Sequence, residues 1–141
     1  ESDMRVNYFG TLNVARAFAP ILVAQGGGAI ACVSSIVGLA SMAGLGGYCA
    51  SKAALHSAIQ AMRAELKPKN IAVFGIYPGP IDTDMAKEMP LDKTSPTTTA
   101  GNIYAGMAEG SDEIFPDPMS TQMGGLYAQS PKGLETTFAS F

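Results

Sequence analysis

Charge and metal-binding side chains are scarce in this sequence. Only 15% of its 141 residues are Asp, Glu, Lys or Arg, and the net charge is -3. No cluster of Lys and Arg provides the footprint of a nucleic-acid binder or an anionic-membrane patch, so neither is expected as a partner. The two cysteines, Cys32 and Cys49, are too few for a disulfide framework and too far apart for a zinc motif. They sit in apolar, small-residue segments and read as buried free thiols, which fits a reducing, cytoplasmic setting. His56 is the only histidine. Asp82 and Asp84 flank Thr83 without a His or Cys partner, so they read as loop solvation or a helix cap, not as a metal site. A clean long apolar run is also missing. No charge falls between Arg16 and Lys52, yet Gly26-Gly27-Gly28, Ser34-Ser35 and Gly44, Gly46 and Gly47 break that stretch. Nothing approaches the roughly 20 apolar residues of a membrane span. The opening residues, Glu1 to Arg5, do not read as a signal peptide.

What is present is apolar material: 47% of residues are hydrophobic, with 16 glycines and 8 methionines. That composition is globular, with tight turns and pliable apolar surface. Residues 2–25 have helical periodicity, with Val6, Phe9, Asn13, Ala17 and Ile21 near one face and Val14 and Phe18 widening it. Pro20 should kink that helix or begin its last section, and the three glycines from Gly26 should end it. Residues 29–33 form a short continuous apolar run, as expected of a strand buried on both faces of a parallel sheet. Residues 34–47 read as a loop. The helical period returns at Tyr48, with Leu55, Ile59, Met62 and Leu66 as its core stripe and Pro68 as its stop. Residues 71–76 form a second buried strand, closed by Tyr77-Pro78-Gly79-Pro80. The spacing further predicts a helix over 97–109, a short strand over 113–115, and one or two helices over 118–141 broken near Pro131. This alternation implies α/β structure with parallel strands and right-handed crossovers. Two or three strands are few for such a sheet, so residues 1–141 read as a single partial domain.

The strongest chemical constellation is Ser35 followed by Tyr48 and Lys52. Tyr48 and Lys52 are i and i+4 on one helix and project from the same face. An isolated phenol, with a pKa near 10, is too weakly acidic to serve as a base at neutral pH. An ammonium one turn away favours the phenolate and should lower that value, making Tyr48 a proton donor or acceptor for an alcohol/carbonyl pair. Ser35 lies at a strand end, where open α/β sheets gather ligands, and its hydroxyl can polarise a substrate oxygen.

The surroundings are specific. Val33-Ser34-Ser35-x-x-Gly38, Tyr48-x-Ala50-Ser51-Lys52-Ala53-Ala54 and Pro78-Gly79-x-x-x-Thr83, with Ser35 13 residues before Tyr48, resemble the short-chain dehydrogenase/reductases. Asn7, within Val6-Asn7-Tyr8-Phe9-Gly10-Thr11, resembles that family's fourth catalytic residue. The likeness runs from Met4 to about Thr83. It implies the C-terminal part of a Rossmann-like, doubly wound parallel sheet with flanking helices. It further implies NAD or NADP as cofactor and hydride transfer between the nicotinamide and a ketone or secondary alcohol. By the same resemblance Tyr48 is the acid/base and Ser35 orients the substrate oxygen. Lys52 lowers the tyrosine pKa and binds the nicotinamide ribose, and Asn7 holds a water of a proton relay. The turn at Pro78 and Gly79, the backbone at Ile81 and the hydroxyl of Thr83 bind the nicotinamide carboxamide. The resemblance also implies that helices 2–25 and 48–66 form the seam of a homo-oligomer, for which Ala17, Ala53, Ser57, Ala61 and Ala64 are available, with His56 or Met62 near the contact.

Departures from the family pattern qualify this. The Gly-rich phosphate loop is absent: Gly26-Gly27-Gly28 has Ala31 where a third glycine is needed, and Gly44-x-Gly46 has Cys49 there. The residue that selects NAD or NADP is absent as well, so the strands carrying both would precede Glu1. Tyr77 is bulkier than the small polar residue usual before the Pro-Gly turn and is expected to crowd the pocket. His56, one turn past Lys52, reads as a helix-surface or interface residue, not a base. Met85, Met89, Pro90 and Leu91 read as an apolar lid. Two alternatives stay open: epimerisation or dehydration on the same fold, and a catalytically inactive truncated piece held by assembly contacts.

Overall fold

The computed structural model describes residues 1–141. A π-helical segment, Met4–Gly10, runs directly into helix α1 (Thr11–Ala24). Strand β1 (Gly28–Val33) follows, then helix α2 (Gly46–Leu66) and strand β2 (Ile71–Ile76). Helix α3 (Pro96–Ala108), strand β3 (Glu113–Ile114) and helices α4 (Pro118–Gln129) and α5 (Pro131–Phe138) complete the chain. The sheet is parallel throughout, in the order β1-β2-β3, so β1 is an edge strand.

The layers follow from the period-2 pattern of β2. Ile71 and Val73 point to one face, where they pack with Cys32 and with Leu55, Ile59 and Leu66 of α2. Phe74 and Ile76 point to the other, where they meet Ile114 and the partly buried Ile103 and Met107 of α3. Strand β1 departs from the expectation of burial on both faces: within it only Cys32 is buried, and Val33 is 55% exposed. The reason is geometric. Ala31 and Val33 are in register with Phe74 and Ile76, on the face that α3 covers only over β2 and β3.

The first helix also differs from its reading. It continues through Pro20, and the departure from α geometry lies upstream, in the π segment. Ala15 is the buried residue of α1, whereas Val6, Phe9, Val14, Phe18 and Ile21 are all at least half exposed. The apolar stripe read from the sequence is therefore an outward face. The stripe of α2 is placed as read, with Leu55, Ile59 and Leu66 buried. The loop after β1 contains a buried 3₁₀ turn, Ile36–Gly38. Both cysteines are buried free thiols. No helix is long and apolar enough to cross a membrane.

Candidate active site

The strand register assembles the site. Val33 is opposite Ile76, so the residues that follow each strand emerge side by side at the carboxyl edge of the sheet. Ser34 N–H donates to the Ile76 carbonyl at 2.7 Å, and Ile36 N–H donates to Pro78 at 3.1 Å. Ser35 thereby sits beside the Pro78-Gly79 turn. Its hydroxyl makes a long 3.4 Å bond to the Pro78 carbonyl and accepts from Val37 N–H at 3.4 Å. Bonds of that length are weak and leave the hydroxyl free to turn toward a better partner.

Helix α2 supplies the phenol and the ammonium, and two residues of the Ser-Ser-x-x-Gly stretch set its position. Ser34 Oγ donates to the Lys52 carbonyl at 3.2 Å. Gly38 packs against the same turn so closely that a Cβ there would lie 2.8 Å from the Lys52 carbonyl oxygen. The glycine is thus required by close backbone approach.

Tyr48 and Ser35 line the same cavity, with the Ser35 hydroxyl close enough to act on the phenol. Burial pushes the Tyr48 phenol above the ordinary value; the nearby Ser35 hydroxyl draws it back in part, and Cys49 and Asp3 add upward pushes. The expected lowering by Lys52 is not found. The ammonium lies 5.6 Å from the Tyr48 ring centroid and is engaged elsewhere, donating to the Val33 carbonyl at 3.0 Å. Burial lowers the Lys52 pKa. Asn7 hydrogen-bonds to neither group. Its Nδ2 donates to Ser51 Oγ at 3.0 Å, and Ser51 Oγ donates to the Tyr48 carbonyl at 2.7 Å, tying the π segment to the first turns of α2. A π turn often marks a functional position, because its extra residue re-aims a side chain.

Ser35, Tyr48, Gly79, Ile81 and Thr83 line one cavity of about 490 Å³. Lys52, Asn7 and Pro78 are not in its wall. Ile81 is held by a bridge to Thr94, and Thr83 is exposed at the lip, with Oγ1 donating to the Ile81 carbonyl at 3.3 Å. Asp84, with Met85 and Ala86, forms the 3₁₀ turn for which Thr83 is the preceding cap residue.

Three contributors escaped the sequence reading. Asp117, buried, accepts from Gly79 N–H at 2.8 Å and from Ser120 N–H at 2.9 Å, joining the Pro-Gly turn to the N-terminus of α4. The pattern Asp117-Pro118-x-Ser120 was the available signal, since it opens a helix with a capping box. His56 and Tyr77 are the others, and both correct an expectation. Tyr77 does not crowd the cavity: it is fully buried beneath the sheet edge, stacked on Phe115 at 5.5 Å. His56 is not a surface residue: it is buried and its Nδ1 shares a 2.6 Å hydrogen bond with the Tyr77 hydroxyl. Burial lowers the His56 pKa and raises that of Tyr77, so both are neutral at physiological pH.

The family model for short chain dehydrogenases matches residues 1–94, the stretch that carries Asn7, Ser35, Tyr48, Lys52 and the Pro-Gly turn. The chain belongs to the short-chain dehydrogenase family. Among similar proteins is the 3-ketodihydrosphingosine reductase of Dictyostelium discoideum, 33% identical over 83% of this chain and 40% of that protein. The NADPH-dependent 1-acyldihydroxyacetone phosphate reductase of Saccharomyces cerevisiae is 35% identical over 67% of this chain and 32% of its own length. A solved short-chain dehydrogenase from Burkholderia cenocepacia, in complex with NADP, superposes with a TM-score of 0.89 at 36% identity. That superposition covers 96% of this chain and 56% of the other. The chain thus spans about half, or less, of the length of the family members it matches. Its α/β architecture is the Rossmann-like fold of those short-chain dehydrogenases.

Proposed function

We propose that this short-chain dehydrogenase is an NAD(P)-dependent oxidoreductase that interconverts a ketone and a secondary alcohol. The observation that carries the reading is that Ser35 and Tyr48 line one cavity together with Gly79, Ile81 and Thr83. The cofactor fits the residues present. The cavity is of small-molecule size. Gly79, Ile81 and Thr83 line it, and Lys52 uses one ammonium hydrogen on Val33, leaving two for ribose hydroxyls. When bound, the nicotinamide supplies or accepts the hydride.

The chain's own residues handle the proton. Ser35 Oγ holds the substrate oxygen beside Tyr48 Oη. Burial keeps the Tyr48 phenol protonated, so the hydroxyl is ready to donate to a carbonyl oxygen that gains negative charge. In the reverse direction the same oxygen takes the alcohol proton, which needs Lys52 to turn toward Tyr48 and favour the phenolate. Asn7 commits one Nδ2 hydrogen to Ser51 and offers Oδ1 to a relay water. The exposed apolar face of α1, and Ala53, Ser57, Ala61 and Ala64 on α2, fit a homo-oligomer seam.

In the holoenzyme, Tyr48→Phe keeps the ring and removes the proton. Turnover should fall by roughly 100-fold or more, with dinucleotide affinity, read by NADH and NADPH fluorescence titration, preserved. Near-normal turnover would reject Tyr48 as the acid/base. Lys52→Ala should weaken affinity and rate together; a change in rate alone would contradict the ribose contact.

A further inference from the structure

The rest of the cavity lining differs in chemistry from the Ser35–Tyr48 pair. Besides Ser35 and Tyr48 the lining includes Val37, Met42, Leu45, Met85, Met89 and Met119, and no charged side chain lines it. Four of the chain's eight methionines converge here. Methionine is unbranched and polarizable, so a wall of them adapts to a flexible apolar guest and does not fix one rigid outline. Met85 is 82% exposed, on the 3₁₀ turn just after Thr83. A large apolar side chain held in water at a cavity mouth gains by folding onto a ligand. Nothing in the wall can pair a buried anion, and burying one unpaired is strongly unfavourable.

We propose, on the basis of the carbonyl/alcohol reading above, that the substrate is a ketone or secondary alcohol bearing a flexible, uncharged hydrocarbon arm. The arm runs from the reacting carbon among Met42, Leu45, Met85 and Met89. The site excludes substrates that carry a carboxylate or phosphate at the end of that arm. This class is narrower than the reaction requires, since the Ser35–Tyr48 pair handles any carbonyl oxygen.

A homologous series tests it in the holoenzyme: 2-pentanone, 2-heptanone, 2-nonanone, and 8-oxononanoate, which replaces the terminal methyl of 2-nonanone by a carboxylate. Binding is read separately, without cofactor, from the shifts of ¹³C-methyl-labelled methionines on adding 2-nonanone. The proposal expects kcat/KM to rise about threefold to fourfold per methylene until the cavity is filled. It expects 8-oxononanoate to fall at least 100-fold below 2-nonanone, and the methyls of Met42, Met89 and Met119 to shift. Met85→Lys, at an exposed position, should raise kcat/KM for 8-oxononanoate tenfold or more and lower that for 2-nonanone. Rates flat with chain length, or best with the carboxylate, would overturn the hydrocarbon arm while leaving the reaction reading intact. Chain-length dependence without methionine shifts would place the arm elsewhere and overturn it too. Methionine shifts with no reduction of any ketone would support the arm and reject the reaction.

Discussion

The His56–Tyr77 bond should be a measurable part of what holds α2 to the sheet. Tyr77→Phe removes one atom and keeps the stacking on Phe115. It takes from the buried His56 Nδ1 its 2.6 Å partner, leaving the ring bonded only through Nε2, to Gln60 at 3.1 Å. A buried polar group left unsatisfied costs about 1–3 kcal/mol, whereas replacing both partners by apolar groups is close to neutral. Tyr77→Phe alone should therefore destabilise by about 1–3 kcal/mol, and adding it to His56→Leu should cost much less than that. For a chain of this size, each kcal/mol corresponds to roughly 3–5 °C in Tm. Urea unfolding of the four proteins of the cycle, followed by circular dichroism, gives the coupling directly. A coupling of at least about 1 kcal/mol is expected; singles that sum to the double within about 0.5 kcal/mol would refute the argument.

Stability should also fall on mild acidification. The His56 pKa is depressed by burial, so between pH 6.5 and its folded value the unfolded chain binds the proton and the native chain does not. This contribution is fully present above pH 6.5 and is lost as pH drops through the folded value; His56→Leu should flatten that part of the unfolding profile, and an unchanged profile would exclude His56 as its source. Gly38→Ala forces a Cβ to within 2.8 Å of the Lys52 carbonyl oxygen. The expected cost is about 1–3 kcal/mol in Tm-derived stability, with a loss of turnover, and a variant as stable as the parent would mean that the turn yields freely. Phe18→Glu places a charge on the exposed face of α1; sedimentation should show the assembly shifted toward monomer, and an unchanged state would move the seam to another surface.

Much of this was readable from residue patterns because each relevant signal was local. The i, i+4 pair of Tyr48 and Lys52, the stripe of α2 and the stop at Pro78-Gly79 depend on neighbours within one or two turns. What escaped depended on partners distant in sequence. Periodicity identified an apolar stripe on α1 but not its direction, because α1 has apolar residues on more than one face and only contact with α2 and the sheet decides which is buried. The same holds for Tyr77, read as facing the pocket because of its place in the motif. The alternation of β2 continues past Ile76 and turns the ring toward α2, where His56 waits. The Lys52 ammonium was expected to act on the phenol, and its spacing permits that, but the Val33 carbonyl lies nearer and takes it.

Asp117 has a consequence for motion. One carboxylate serves two masters, with Oδ2 on the Gly79 amide and Oδ1 on the Ser120 amide that starts α4. The Pro-Gly turn cannot swing away from the α4 N-terminus without breaking the Gly79 N–H bond to the Asp117 carboxylate or dragging the helix along. Opening of the turn is therefore expected to couple to loosening of α4, which packs on α5 through Met123, Leu134 and Phe138. Any ligand that clamps residues 79–83 should slow amide exchange as far away as Phe138, a retardation carried through a single shared anion.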